Sequence, residues 1–440
     1  MKDLFFSLAE HAFKQLRGSE VLLANFAGEV SDFIRFNHAR VRQPMTVRQA
    51  VIELSLIDGA RRDIRSLTLC GESNEDRATV TAAVNAMRTD LPSLPEDPYL
   101  LYCTEANSSN RESTGALPAA AEAIEAITTQ AAGVDLVGIL SSGPIMRGFA
   151  SSLGARHWHA VDAFLFDWSL YHATDKAVKA SWAGTTFDRA ELARRIDAGR
   201  ETLKYLALPT RTIEPGEYRA YLTPAAFDEL LWMLNWDGVS AKAQRTKTSC
   251  LQRLVDGEAT LSTRMSLTED TAGGLAPAFD SSGFTKPARV DIVTDGRHAG
   301  SMICPRTAKE YGLAANGAGD DEGMASMALA GGTLPESDAL AALGTGIAVG
   351  NLHYVNFSDR ANGRVTGLTR FASFWVEKGK IVAPLNVMRW DDSLFRMIGT
   401  QLEALTEKPE WTLNNSTYDH RSVQTSRVPG ALLAGMAFTL

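Results

Sequence analysis

The feature that most constrains this chain lies between residues 20 and 70, where apolar residues alternate with polar ones through "VLLANF", "SDFIRF" and "AVIELSLIDGARRDIRSLTL". A period of two puts every second side chain on one face, so these stretches are strands with one buried side. Asp58-Gly59 is a dipeptide suited to a tight turn, and it joins two of the strands into an antiparallel meander. Helical spacing of Val80, Ala83, Val84 and Met87 between Asn74 and Thr89 then predicts a helix covering one face of the sheet.

Further along, an alanine-rich run from Leu117 to Ala132 predicts a second helix. "DLVGILSSG" and "IMRGFASSLG" read as the arms of a hairpin, and "AFLFDWSLY" as a strand that continues it. A charged amphipathic helix is expected from Thr186 to Leu206, with Thr186 as its N-cap and Pro209 beyond its end. "TIEPGEY", residues 212–218, breaks the pattern. Beyond it come two helices, "PAAFDELLWMLNW" and "QRTKTSCLQRLV", and then a glycine-rich texture with many short strand candidates. The expected fold class is therefore α+β: an N-terminal antiparallel sheet with covering helices, and a C-terminal curved antiparallel β domain with irregular loops. The expected divisions are 1–110, 111–211 and 212–440.

Composition excludes several functions. With 44 Lys and Arg against 52 Asp and Glu, the net charge of −8 offers no phosphate-binding block, which argues against nucleic acid or an anionic membrane as partner. No apolar run reaches the length that spans a bilayer. "MKDLFFSLAEHAFKQL" places Phe5, Leu8, Ala9, Ala12, Phe13 and Leu16 at helical spacing, so it reads as an amphipathic helix and not as a secretory signal. Cys70, Cys103, Cys250 and Cys304 stand singly, without metal-binding or disulfide-framework spacing, as reduced thiols of a cytoplasmic protein do.

Residues 367–385, "GLTRFASFWVEKGKIVAPL", read as a hairpin turning at Lys378-Gly379. With its Gly-x-x-Arg-x-Ala opening, this stretch resembles the TldD/PmbA family of zinc-peptidase-related proteins. "SDFIRFNHARVRQ", "EPGEYRAYLTPAAFDELL" and "SVQTSRVPGALLAGMAF" resemble that family's N-terminal signature, the start of its C-terminal domain and its closing strands, in the same order. The resemblance implies a cytosolic bacterial or archaeal peptidase complex. One paralogue binds zinc through a helix carrying His-Glu-x-x-x-His and a thiolate near the C-terminus, and a sister subunit completes the chamber.

A catalytic zinc needs three protein ligands, a water and a nearby base. Set against the family's ligand helix, "YLTPAAFDELLWMLNWDG" puts Trp232, Met233 and Asp237 where His, Glu and His stand, and no cysteine follows Cys304. "NNSTYDH" occupies roughly the place of the thiolate. The resemblance thus implies a metal-free sister subunit with no cofactor and no catalytic residue of its own. It would bind extended peptide as a homodimer or as a heterodimer with a zinc-bearing TldD-like paralogue. From the family's shape, Tyr354, Arg370 and Trp375 are the expected peptide contacts.

Two other functions stay open at this point. One is a self-standing homodimeric binding or scaffold protein. The other is a metallopeptidase with a replacement site: alternate residues of a strand share a face, so His157 and His159 could meet one ion, with Asp162 or His172 completing it. Against this stands the plainer reading of a solvent-facing strand. "GAGDDEG", residues 317–323, lacks the ligand spacing of a calcium loop and reads as a mobile surface loop. "GTGIAVG", residues 344–350, reads as glycines in a bent strand. Cys250 is expected inside a helix as a core thiol, and Trp232 and Trp236 as core or interface anchors.

Overall fold

The computed structural model describes residues 1–173 and 176–439. The alternating region folds into β1 (Val21–Asn37), β2 (Arg40–Asp58) and β3 (Arg61–Thr68), with Gly59 supplying the positive φ that the tight turn needs. "VLLANF" and "SDFIRF" are two halves of the single strand β1. The sheet continues through β4 (Ser108–Ser113), β5 (Asp135–Ser151), β6 (Arg156–Ala173) and β7 (Lys176–Gly184), in the order β3-β2-β1-β5-β6-β4, with β7 also paired to β6. One sheet thus takes strands from both sides of residue 110.

Four helices lie over one face: α1 (Lys2–Phe13), α2 (Ser73–Asp90), α3 (Ala120–Gln130) and α4 (Arg189–Leu206). Phe5, Leu8, Val80 and Val84 pack on Ile52 and Leu54 near one end, and Ile127, Leu192 and Ile196 pack on Phe164 and Phe166 near the other. The cap of α4 is Asp188, whose carboxylate accepts the Ala190 N–H, and not Thr186. An aspartate satisfies an orphan first-turn donor and adds a favourable charge, so it wins over the earlier threonine.

Where a hairpin is expected, β5 instead runs straight through "SGPIM" as one strand. Gly143 takes a φ of +133° there, and a Cβ on it would lie 2.2 Å from the Val30 carbonyl oxygen. The glycine lets β5 cross close to β1 without reversing. At the other end β2 outruns its neighbour. β3 pairs only with Val51–Asp58, and the Ala50 carbonyl accepts the Leu69 N–H, so residues 40–49 leave one edge unpaired. Pro44 has no N–H to offer, the register with β1 skips Arg42, and Arg40, Arg42 and Arg48 are exposed.

The C-terminal region begins with β8 (Gly216–Leu222) and α5 (Pro224–Leu231), followed by β9 (Leu267–Glu269), β10 (Val290–Thr294), β11 (Arg297–His298), β12 (Ser326–Leu329), β13 (Gly346–Asp359), β14 (Arg364–Glu377), β15 (Lys380–Pro384), β16 (Arg389–Ser393), β17 (Leu402–Leu405), β18 (Glu410–Leu413), β19 (Thr425–Val428) and β20 (Ala431–Phe438). Strands β13, β8, β20, β16 and β14 form one sheet that closes on itself through β13–β14 pairing, with β15 on β14 and β17 on β20. The barrel interior holds Trp390, Val365, Leu352 and Phe438. A second sheet runs β11-β10-β9-β12-β19-β18. The helix-free face of the N-terminal sheet rests on this region through Ile145, Val161, Ala163 and Leu165 against Leu275 and Leu413. The fold is α+β, as expected, with β14 and β15 forming the hairpin at Lys378-Gly379.

Three local expectations are corrected. α5 stops at Leu231, and Trp232–Asn235 form a 3-10 turn. "QRTKTSCLQRLV" is interrupted after Arg245 and resumes only at Gln252, so Cys250 sits buried in a turn. The loop "GAGDDEG" is not wholly at the surface: Glu322 is buried and accepts hydrogen bonds from Ser240 Oγ and from the backbone N–H groups of Lys242 and Cys304.

Replacing Gly143 by alanine should destabilise the protein by about 2 kcal/mol or more, because it combines a strained φ with a backbone clash. Urea unfolding of Gly143→Ala against the parent measures this. An unchanged midpoint would show that β1 and β5 can part there without loss.

Candidate functional site

Strand β8 leads directly into α5, with Thr223 as cap: its hydroxyl accepts the Ala226 N–H and donates to the Gly350 carbonyl. This fixes the first turn of α5 against the barrel wall. A cleft of about 480 Å³ opens there, between β7 (Lys179, Ser181), the start of α5 (Thr223, Pro224), and β13 and β14 (Gly350, Ala372). Among the described residues β7 pairs only with β6, so its other edge faces the cleft without a ladder partner. The Ser181 carbonyl points outward and accepts from Arg195 Nη1.

Deeper along α5 stand two adjacent carboxylates, neither of which lines the cleft. Asp228 is 9% exposed; Thr412, on the cleft wall, donates to its Oδ2, and its Oδ1 has no partner. Burial raises its pKa to about 6, held back by hydrogen bonds from Ser426, Thr412 and Trp232. Glu229 is half-buried, and burial raises its pKa to about 7 against the pull of Lys179. Asp167 of β6 is likewise raised, first by burial, with Lys179 at 3.7 Å and Asn415 at 3.4 Å. Its Oδ1 is buried without a partner.

Lys179 stands 5.9 Å over the ring of Phe371, and Arg370 lies over the same ring at 5.4 Å. His353, its pKa lowered by burial and then by Arg370 and Lys179, lies tilted against Tyr354 with ring centroids 4.2 Å apart. Tyr354 and Phe371 both have left-handed backbones, with φ of +50° and +57°, which bulky residues adopt rarely. Strain of this kind collects at functional sites.

The structure therefore brings two of the three expected peptide contacts, Tyr354 and Arg370, to one place, and leaves the third apart. Tyr354 is 78% exposed, whereas Trp375 is 9% exposed, donates its indole N–H to Glu377 and lies under the Arg211 guanidinium. Trp232, Met233 and Asp237 do not converge. Met233 is in the core, Trp232 lies beside Asp228, and Asp237 is paired with Arg360 at 2.6 Å. Trp236 is 48% exposed, its ring edge-on to Phe357, and does not anchor the core.

His157 and His159 share a face, but that face is buried and not solvent-facing. His157 shares hydrogen bonds with Ser109 and Asn107 at 2.8 and 2.9 Å, and His159 Nε2 donates to the Leu275 carbonyl. Burial lowers the His159 pKa to about 4, followed by the charge of Arg111. Asp162 accepts the Gly115 N–H, and His172 lies 13 residues beyond His159 on the same strand, roughly 40 Å away at the usual rise. Sequence reasoning missed Asp167, Lys179, Asp228, Glu229 and Phe371. One signal was available: Asp228 interrupts the apolar helical face of Phe227, Leu230 and Leu231, where an acid is buried only for a reason.

A family model described as the PmbA/TldA metallopeptidase C-terminal domain matches residues 215–440. No curated protein matches the chain. Among solved structures, TldE from Thermococcus kodakarensis superimposes with a TM-score of 0.78 at 13% identity, covering 100% of both chains. A candidate modulator of DNA gyrase from Bacteroides thetaiotaomicron gives 0.76 at 17% identity over 100% of this chain and 98% of that one. Another candidate gyrase modulator, from Thermotoga maritima, gives 0.75 at 13% identity over 99% of each. At these identities the likeness to the solved structures concerns the fold alone.

The raised pKa of Asp228 has a consequence for stability. Between its ordinary value of 3.8 and about 6, the folded chain holds a proton that the unfolded chain has released, so this group's contribution falls as pH rises through that window. Asp228→Asn should remove that fall. The stability difference between pH 4 and pH 7.5, from urea unfolding, should shrink by about 2 kcal/mol relative to the parent.

Proposed function

The chain belongs to the TldD/PmbA family, and from that premise we propose that it is a subunit without a hydrolytic metal, which receives an extended peptide in the cleft beside β7 and works with a zinc-bearing paralogue. The unpartnered edge of β7 carries this reading. An extended chain laid along such an edge gains main-chain hydrogen bonds whatever its sequence, which is how a peptide of varied composition is held. Ile381 of β15 and Phe374 of β14 line the opposite side and supply apolar contact.

The donor set does not fit a catalytic zinc. Such a site draws three ligands from imidazole, thiolate or carboxylate, keeps one position for water and sets a glutamate beside it. Here the carboxylates of Asp167 and Asp228 are spread over β6 and α5 and are tied to Asn415, Lys179 and Thr412. The imidazole of His353 has Arg370 and Lys179 for neighbours. Among the described residues no group of three or more His, Cys, Asp or Glu side chains is placed to hold an ion. Hydrolysis on this reading belongs to the partner chain. Among the described residues no helix is long and apolar enough to cross a membrane.

Two measurements test this. The isolated chain should leave an unfolded peptide intact, and co-expression with a paralogue carrying His-Glu-x-x-x-His should yield a co-purifying, chelator-sensitive peptidase. Chelator-sensitive digestion by the isolated chain would overturn the proposal. Ser181→Pro removes a donor from the free edge of β7 while sparing the β6 ladder, and should weaken peptide binding about tenfold, or about 1.4 kcal/mol, in fluorescence anisotropy.

A further inference from the structure

A second pocket, of about 580 Å³, lies on the helix-free face of the N-terminal sheet and shares no lining residue with the β7 cleft. Its size is that of a small-molecule site. Ala27 of β1 and Val51 of β2, paired across the ladder, form its floor, and Pro277 and Phe279 of the loop between β9 and β10 form an apolar wall. Two loops are pinned over this floor. The Asn25 amide donates to the Ser281 carbonyl, while Gln49 donates to the Asp419 carbonyl and Arg147 to the Arg421 carbonyl.

The two ends of the pocket carry opposite charge. At one end Glu53 lies across the ladder from Asn25, half-buried and without an ion pair or hydrogen bond among the described residues. Asp280, beside the Ser281 carbonyl that Asn25 holds, is 7% exposed; its Oδ1 accepts the N–H groups of Ser282 and Phe284, and its Oδ2 has no partner. At the other end, two residues further along β1, Arg147 lies across the ladder from Ala27. Its guanidinium donates only to the carbonyls of Met146 and Arg421, and among the described residues it forms no ion pair. The charge that opposes it, buried Glu29, already accepts from Ser31 and Gln49. Asp419 and His420, both exposed, complete the lining at this end.

We propose that this pocket binds a zwitterionic dipeptide, with its amino end at Glu53 and Asp280, its carboxylate at Arg147 and its side chains on Val51 and Phe279. Rows two residues apart on a strand are separated by about 7 Å, which is also the reach of an extended dipeptide from one terminus to the other. A free amino acid is too short to meet both ends, and a longer chain would set an uncharged peptide group against one of them. An ammonium brings three donors, enough to match a free carboxylate and a buried acceptor that otherwise goes unmatched. Burial raises the pKa of Asp280 only to about 6, so near neutral pH this carboxylate is ionised and accepts. The unused N–H groups of Arg147 suit a carboxylate, and charge-assisted bonds at both ends outweigh contacts along an apolar floor, so the termini and not the side chains decide what binds. This inference is independent of the peptide-binding reading of the β7 cleft.

Calorimetric titration of the full chain with alanyl-leucine at pH 7.5 tests this. One saturable site is expected, and the N-acetylated dipeptide, the C-amidated dipeptide and free leucine should each bind about tenfold more weakly or worse. Glu53→Gln should weaken the free dipeptide about tenfold while its urea midpoint stays that of the parent, because the side chain it replaces has no partner to lose. Absence of a saturable site on the parent overturns the inference. So does equal affinity for either capped form or for leucine, or a Glu53→Gln variant that binds the dipeptide as the parent does. None of these results bears on the β7 cleft, whose own test is the Ser181→Pro measurement above.

Discussion

The arrangement of this molecule depends on one buried arginine. Arg421 leaves the loop between β18 and β19 and enters the N-terminal sheet, where it is 2% exposed. Its guanidinium donates to Ser31 Oγ on β1 at 3.2 Å, to the Gly143 carbonyl on β5 at 3.0 Å and to the Ala163 carbonyl on β6 at 2.6 Å. Arg147 holds the carbonyl of the same residue at 3.1 Å, and buried Glu29 supplies the opposing charge. Burial pulls both guanidinium groups down to about 10, and acceptors from three strands offset part of the desolvation cost of Arg421, whose Nε stays without a partner. Because β18 carries Thr412, the tether that joins the two halves also sets the wall against which Asp228 is held.

The cleft follows from that tether. Val178 of β7 packs on Tyr221, Ala348 and Phe374 of the C-terminal barrel, and α5 can bury Asp228 because β18 and β19 supply hydroxyls to it. Tyr354 and Phe371 sit at irregularities of the β13–β14 ladder, where the register slips near Asn351 and Asn356, and both backbones are left-handed. A regular ladder would point these rings elsewhere.

Much of this was legible in the sequence where local chemistry and tertiary context agree. The alternation of residues 20–70, the Asp58-Gly59 turn, the amphipathic pattern of α1 and the Lys378-Gly379 hairpin all appear as read. Reading failed where the chain exploits proximity. Gly143 signals a turn in isolation, yet it serves a crossing of strands distant in sequence. The end of α5 at Leu231 was hidden because Trp232, Met233 and Leu234 continue a helical pattern while their backbone tightens into a 3-10 turn. The group around Lys179 was harder still: Asp167, Lys179, Glu229 and His353 come from four separate elements, and nothing in the spacing of one element points to the others. Tyr354, Arg370 and Trp375 were named only through resemblance, and the packing turns Trp375 inward.

The overhang of β2 has a consequence of its own. A bare strand margin invites fibril-like stacking between copies, and here that margin is blunted three ways: a proline removes a donor, a skipped residue spoils the spacing, and three guanidinium groups repel an identical neighbour. At high concentration, association through this rim should be suppressed, which leaves the molecule free to meet other chains by its faces.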